Sequence, residues 1–121
     1  MLHLSTACSY YLYHDNTDMR KGFDSLSGIV SSQMQLDALS GAVFIFINRK
    51  RNHVKLLLFE GDGFALYHKR LEKGTYEIPA CTDKSASMNI SSVQLHLILQ
   101  GISLKSVRRR KRYQHLLKNC G

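Results

Sequence analysis

Residues 42–47, Ala-Val-Phe-Ile-Phe-Ile, form the longest uninterrupted apolar run of the chain, and this run limits the folds that the chain can adopt. It is far shorter than the roughly 20 residues of a membrane-spanning helix. Its β-branched and aromatic side chains and the turn-forming residues around it instead indicate a buried strand over residues 42–48. A second strand is predicted over Val54–Glu60 and a third over Phe64–Leu71.

The turns between these segments indicate antiparallel pairing. Gly61-Asp62-Gly63 lies between the second and third strands, and Asp-Gly tolerates the positive φ angles that tight hairpins require. We expect the positive φ at Gly63. A short fourth strand is predicted over Thr75–Ile78. Residues 42–79 are therefore predicted to form one small antiparallel meander.

An amphipathic helix is predicted before the meander, over about residues 18–36. Thr17 is its expected N-cap, and Asp18 places a carboxylate in the first turn, where the helix dipole favours it. Apolar side chains recur every three or four positions and form one buried stripe. The stripe consists of Met19, Phe23, Leu26, Val30 and Met34.

The remaining segments complete an α+β class, with helices packed on the sheet. Tyr10–Tyr13 have strand propensity, and residues 80–89 are polar and typical of turns. A second helix is predicted from Ile90 to Leu99, capped by Asn89 or Ser91. We expect a single domain over residues 1–104, followed by a basic C-terminal tail over residues 105–121.

Most of the excess positive charge lies in that tail. The 121 residues include 17 Lys and Arg and 9 Asp and Glu, a formal net charge of +8. Residues 105–121 hold seven of the positive charges and no acid, so the rest of the chain carries only +1. Such a block is typical of a nucleic-acid-binding arm or of a solvated chain end. A second basic cluster, Arg49-Lys50-Arg51, favours a polyanionic partner.

Cysteine and histidine spacing indicates neither a disulfide framework nor a metal site. The three cysteines and six histidines are scattered along the chain, without a C-x-x-C pair. We therefore predict no metal and no cofactor. The first eight residues lack Lys and Arg and do not resemble a secretory signal. These features predict a cytoplasmic protein without a membrane segment.

Two sequence blocks together resemble a known family. The first is T-D-M-R-K-G-F-D, composed of Thr17, Asp18, Met19, Arg20, Lys21, Gly22, Phe23 and Asp24. The second begins at Asn48 as N-R-x-R-x-x-x-K-L-L and continues through G-D-G-F and K-R-L. In this order and spacing, over about residues 10–79, they resemble the accessory second open-reading-frame protein (TnpB) of the insertion sequence 66 class of bacterial mobile elements. This is not the RNA-guided nuclease that shares the name TnpB.

The resemblance implies a small bacterial protein encoded beside a larger transposase and assisting movement of the element. It supplies no catalytic residues. A metal-dependent nuclease remains the alternative, because Asp18, Asp24, Glu60 and Asp62 lie inside the two blocks. We favour structural roles for these carboxylates. Asp18 and Asp24, six positions apart, do not share a helix face, and Asp62 belongs to a tight turn.

The predicted binding surface is basic. Arg49, Lys50 and Arg51 are expected at a hairpin tip, where guanidinium groups can bind phosphates in bidentate fashion. The other candidate contacts are Arg20, Lys21, Lys69, Arg70, Arg108, Arg109, Arg110, Lys111 and Arg112. The expected partners are DNA at the element ends and the transposase of the same element. Charge alone does not distinguish DNA from an acidic surface of the transposase, and the oligomeric state is left open.

Overall fold

The computed structural model describes residues 8–79 and 87–100, and it confirms the α+β class. The predicted basic tail lies outside these residues. The elements are β1 (Tyr10–Tyr13), α1 (Phe23–Ser32), β2 (Val43–Ile47), β3 (His53–Phe59), β4 (Phe64–Arg70), β5 (Ser87–Ile90) and α2 (Ser92–Gln100).

The five strands form one mixed sheet in the order β4-β3-β2-β1-β5. The predicted antiparallel meander is confirmed for β2, β3 and β4, with Val43 opposite Leu58 and His53 opposite Arg70. β1 extends the sheet by pairing parallel to β2. This parallel pairing is possible because α1 lies in the crossover between the two strands. β5 then pairs antiparallel to β1 at the edge.

The two helices cover opposite faces of the sheet. Leu26 and Val30 of α1 pack in one cluster with Phe44 and Phe46 of β2. Leu95 and Ile98 of α2 belong to a second cluster, which contains Val43, Ile45 and Ile47. Successive side chains of a strand point to opposite faces. All five residues of β2 are therefore buried, and this strand is the centre of the core.

The predicted start of the first helix is wrong. α1 begins at Phe23, its N-cap is Gly22, and no side chain caps it. Thr17 is instead buried beside the sheet, and its backbone N–H donates to the carbonyl of Ile47 at 3.0 Å. Tertiary contacts, and not the apolar period, thus determine the conformation of residues 17–22, which we call the 17–22 loop. Phe23 is 46% exposed and does not belong to the core stripe.

Two further expectations about the sheet are wrong. Residues 75–78 form no strand, because the backbone N–H of Tyr76 bonds to the carbonyl of Arg51 at 2.7 Å, away from any ladder. Residues 87–89, expected to be turn-like, and Ile90, expected to begin the second helix, form β5, and α2 begins at Ser92. Pairing with β1 gives these backbone groups hydrogen-bond partners that their polar sequence does not reveal. Residues 80–86 lie outside the described part of the chain.

The hairpin and the second cap follow their local sequence signals. Gly61-Asp62-Gly63 joins β3 to β4, and the N–H of Glu60 donates to the carbonyl of Gly63 at 2.8 Å. The positive φ, +96°, lies at Gly61 rather than at Gly63. Before α2, the hydroxyl of Ser91 accepts from the N–H of Gln94, whose side-chain oxygen accepts from the N–H of Ser91. Ser91 is thus confirmed as the cap, in a capping box.

Candidate nucleic-acid interface

The connection between β2 and β3, residues 48–52, is organised by the side chain of Asn48, and we call it the 48–52 turn. The Oδ1 atom of Asn48 accepts from the backbone N–H of Asn52 at 3.0 Å and of His53 at 2.9 Å. Its Nδ2 atom donates to Oδ1 of Asn52 at 2.8 Å. One side chain therefore satisfies the backbone donors that a tight turn leaves without partners. The cations between these two asparagines are exposed, as predicted for a hairpin tip; they are Arg49, Lys50 and Arg51.

Arg51 holds the turn in an unusual backbone conformation. Its φ is +58°, in the left-handed region that residues other than glycine rarely adopt. Its N–H donates to the carbonyl of Asn48 at 3.0 Å, and its carbonyl accepts from the N–H of the buried residue Tyr76. The turn is thus held by a hydrogen bond within itself and by a second hydrogen bond from the backbone of a core residue. A fixed turn loses little backbone entropy when it binds a partner.

Lys55 joins the two sequence blocks, and sequence reasoning missed it. This lysine of β3 is only 7% exposed. Its Nζ atom donates to the backbone carbonyls of Met19 and Lys21, both at 2.8 Å. Burial of an ammonium group is costly without such partners. The available signal was a lysine inside the apolar segment Val54–Leu58. Lys55 fixes the 17–22 loop across one face of the sheet.

Asp18 is paired within the 17–22 loop and does not begin a helix. Arg20 donates to both carboxylate oxygens, from Nη2 at 2.7 Å and from Nε at 3.1 Å, and its backbone N–H donates at 2.9 Å. These side-chain and backbone hydrogen bonds lower the pKa of Asp18 to about 2. The carboxylate is therefore a stably ionised structural group, with its charge compensated by the guanidinium.

The 17–22 loop and the 48–52 turn enclose an open groove of about 420 Å³, which we call the turn groove. Residues of both sequence blocks line it. They are Thr17, Asp18, Met19, Asn48, Arg49, Lys50, Asn52 and His53. Polar side chains predominate in this lining, and two of its residues are cations. The groove therefore offers two cations, Arg49 and Lys50, to an anion, and its one carboxylate, Asp18, is paired with Arg20.

The comparisons with known proteins identify the family at this point. The sequence model described as IS66 Orf2 like protein matches residues 8–109. The chain belongs to this family. Membership in the IS66 Orf2-like family gives the protein an accessory role in transposition, in agreement with the resemblance of its two blocks. The matched segment contains the whole of the turn groove.

Two similar proteins come from Sinorhizobium fredii (strain NBRC 101917 / NGR234). The uncharacterized protein y4hO is 36% identical over 87 residues, which are 72% of this chain and 74% of y4hO. The uncharacterized protein y4jC is 26% identical over 93 residues, which are 77% of this chain and 78% of y4jC. No solved structure matches the chain.

The two candidate cations of β4 lie on opposite faces of the sheet in this IS66 Orf2-like protein. Arg70 is opposite His53, on the face that carries Lys55, whereas Lys69 is opposite Val54. Arg70 also donates to Glu72 at 2.9 Å, so part of its charge is compensated. Arg70 therefore extends the surface around the turn groove, and Lys69 does not.

The carboxylates of the two blocks are not brought together. Glu60 and Asp62 lie at the end of β3 away from the 48–52 turn, about 20 Å along the strand. Asp18 lines the turn groove, and Asp24 lies in the first turn of α1. Within residues 8–79 and 87–100, no three His, Cys, Asp or Glu residues form a group that could hold a metal ion. Neither described helix is long and apolar enough to cross a membrane.

Proposed function

We propose that this IS66 Orf2-like protein is a non-enzymatic accessory factor that binds DNA at the element ends through the 48–52 turn. The observation that carries the proposal is a cluster of three exposed cations on a turn whose backbone is fixed by Asn48 and Tyr76. In the described part of the chain, none of the three forms a salt bridge. Their charge is therefore available to phosphates.

The distribution of charge along the sheet supports the same surface. The hairpin at the far end of β3 carries Glu60 and Asp62. All described lysines and arginines lie at the other end, in or beside the 48–52 turn, the 17–22 loop and the end of β4. They are Arg20, Lys21, Arg49, Lys50, Arg51, Lys55, Lys69, Arg70 and Lys73. A protein with such polarity orients its basic end toward a polyanion as the two approach.

The first test is a salt titration of binding to an element-end duplex and to a scrambled duplex. Binding through phosphates weakens as salt rises, with a log–log slope of about −0.9 for each phosphate contacted. Arg49→Gln combined with Arg51→Gly should flatten this slope by about one to two units. Because glycine adopts positive φ without strain, the Arg51→Gly change keeps the turn conformation. A loss of affinity then reports the cations and not unfolding.

The matched control lowers the net charge equally at a distant place. Gln33→Glu combined with Gln35→Glu adds two negative charges in the connection from α1 to the start of β2, where both residues are exposed, and so lowers the net charge by the same two units. Equal losses of affinity in the two double variants would contradict a binding role of the turn. Deleting residues 105–121 removes seven positive charges and should weaken binding to every duplex alike.

The transposase of the same element is the second proposed partner. Its binding would use the same cations against an acidic surface, so the salt titration is repeated with purified transposase in place of DNA. Absence of DNA binding at low salt, together with salt-sensitive binding to the transposase, would replace DNA by the transposase as the partner. Cleavage of the element-end duplex in the presence of Mg²⁺ or Mn²⁺ would contradict the non-enzymatic role.

A further inference from the structure

His53, which lines the turn groove, is bonded to a second histidine. Its Nδ1 atom lies 2.9 Å from Nε2 of His68 on β4, and the ring centroids are 5.2 Å apart. The register places the two residues diagonally on one face, because His53 is opposite Arg70 and Lys55 is opposite His68. A hydrogen bond at this distance requires one nitrogen with a proton and one without. The pair therefore holds no more than one positive charge while this bond is intact.

The groups around the pair determine which ring carries that charge. Burial, the nearby ammonium of Lys55 and His53 itself lower the pKa of His68. The lowered pKa favours a neutral His68, whose Nε2 is then an acceptor. His53 can then donate from Nδ1 to His68 and keeps Nε2 for another partner. A neutral His68 that carries its proton on Nδ1 leaves Nε2 without a proton, so Nε2 can accept from His53.

The charges that face His53 come from four elements. The turn groove adds Arg49 and Lys50 from the 48–52 turn, and Asp18 from the 17–22 loop, where Arg20 compensates its charge. Lys55 lies two residues further along β3, and Arg70 lies opposite on β4, paired with Glu72. The surroundings are positive in sum. An anion that enters the turn groove therefore meets a net positive charge beside His53.

We propose that the turn groove binds one phosphodiester group of the DNA backbone, with Arg49 and Lys50 as fixed cations and His53 as a histidine that gains a proton on binding. One proton moves from solvent to His53. The resulting imidazolium donates from Nδ1 to His68 and from Nε2 to a phosphate oxygen. His68 acts as a positioning residue, since it orients the ring without touching the phosphate. This inference rests on the proposed DNA binding.

The test is the affinity of the full-length protein for the element-end duplex between pH 6 and pH 8, at constant ionic strength. If one proton is taken up, affinity should rise about three- to tenfold toward pH 6, the range expected for one charged hydrogen bond at a solvent-accessible site. His53→Asn keeps a polar atom near the Nδ1 position but cannot take up the proton, so its affinity should not change with pH.

Two more variants separate positioning from contact. His68→Gln retains an oxygen that can accept from Nδ1 of His53 and should keep the pH dependence, whereas His68→Leu should lose most of it. His96→Gln changes an exposed histidine of α2, on the other face of the sheet, and should behave as the wild type. Thermal melting at pH 7 shows that each variant is folded.

The outcomes distinguish this inference from the proposed function. DNA binding that does not depend on pH, or full pH dependence in His53→Asn, overturns the inference and leaves DNA binding intact. If the wild type binds no duplex, the proposed function fails. Titration with inorganic phosphate then shows whether the turn groove binds an anion. Ring ¹⁵N signals of His53 that shift with phosphate in the wild type, but not in Arg49→Gln, support an anion site. Unchanged signals in the wild type overturn it.

Discussion

The two turns at opposite ends of β3 are built in different ways. The Gly61–Gly63 hairpin is acidic and local: one backbone hydrogen bond, Glu60 to Gly63, and one glycine at φ +96° define it. The 48–52 turn is basic and depends on distant residues. The backbone N–H of Tyr76 donates to the carbonyl of Arg51 in this turn. The 17–22 loop, which Lys55 holds in place, forms the other wall of the turn groove. The candidate site therefore lies where long-range contacts converge.

Loss of Lys55 should have the largest effect on stability. Lys55→Met keeps the length of the side chain but leaves the carbonyls of Met19 and Lys21 without their donor. We expect the free energy of unfolding to fall by about 2–4 kcal/mol, because two partly buried hydrogen bonds from a charged donor are lost. Urea denaturation measures this change. Lys69→Met, on the other face of β4, is the control and should change stability by less than about 0.5 kcal/mol.

A stability of Lys55→Met equal to the wild type would show that the 17–22 loop does not need this anchor. The two turns would then be alike in depending on local contacts. DNA binding by Lys55→Met is measured in the same preparation, because a displaced loop removes one wall of the turn groove.

The hairpin should respond to a change at Gly61 and much less to one at Gly63. Gly61→Val places a β-branched residue at positive φ and should cost about 1–3 kcal/mol. Gly63→Val introduces a Cβ that meets no atom within 4 Å, at a residue without positive φ. Thermal melting compares the two variants. A larger loss at Gly63 would contradict the hairpin geometry. Neither variant should change DNA affinity, since the hairpin lies at the acidic end.

Asn48 should contribute a smaller amount of stability and a larger amount of binding. Asn48→Ala removes the acceptor for the N–H groups of Asn52 and His53 and should cost about 1–2 kcal/mol. Asn48→Asp retains an oxygen acceptor and should lose less. Both variants should weaken DNA binding, Ala by loosening the turn and Asp by adding a negative charge beside the phosphate. Unchanged affinity in both would show that the turn does not need to be fixed.

The smallest expected effect concerns Asp18. The lowered pKa, about 2, means that the stabilisation from the Arg20 pair is present above the ordinary carboxyl pKa and is lost as the pH falls toward 2. Both groups are exposed, so the effect on global stability should be slight. A carboxyl ¹³C titration measures the pKa, and Arg20→Gln should return it toward the ordinary range. An unchanged titration in Arg20→Gln would remove Arg20 as the cause.

Sequence reasoning succeeded where neighbouring residues decide the structure. The apolar run at 43–47, the Asp-Gly hairpin and the Ser91 cap each depend on local propensity or on a side chain within three residues. The exposure of the 48–52 turn followed from the strands on either side of it. The two sequence blocks also identified the family, which the matched segment 8–109 confirms.

The features that depend on contacts between distant residues could be known only from the tertiary structure. The apolar period predicted a helix from residue 18. Hydrogen bonds to the carbonyl of Ile47 and from Nζ of Lys55 instead hold residues 17–22 in a loop. Likewise, β1 pairs with β2 and β5 across 33 or more residues of separation, which no local pattern encodes. The sequence shows a lysine at position 55 but not whether it is buried. Only the fold supplies the two carbonyls that make its burial favourable. The chain thus specified its strands and its basic turn, while long-range hydrogen bonding built the groove beside that turn.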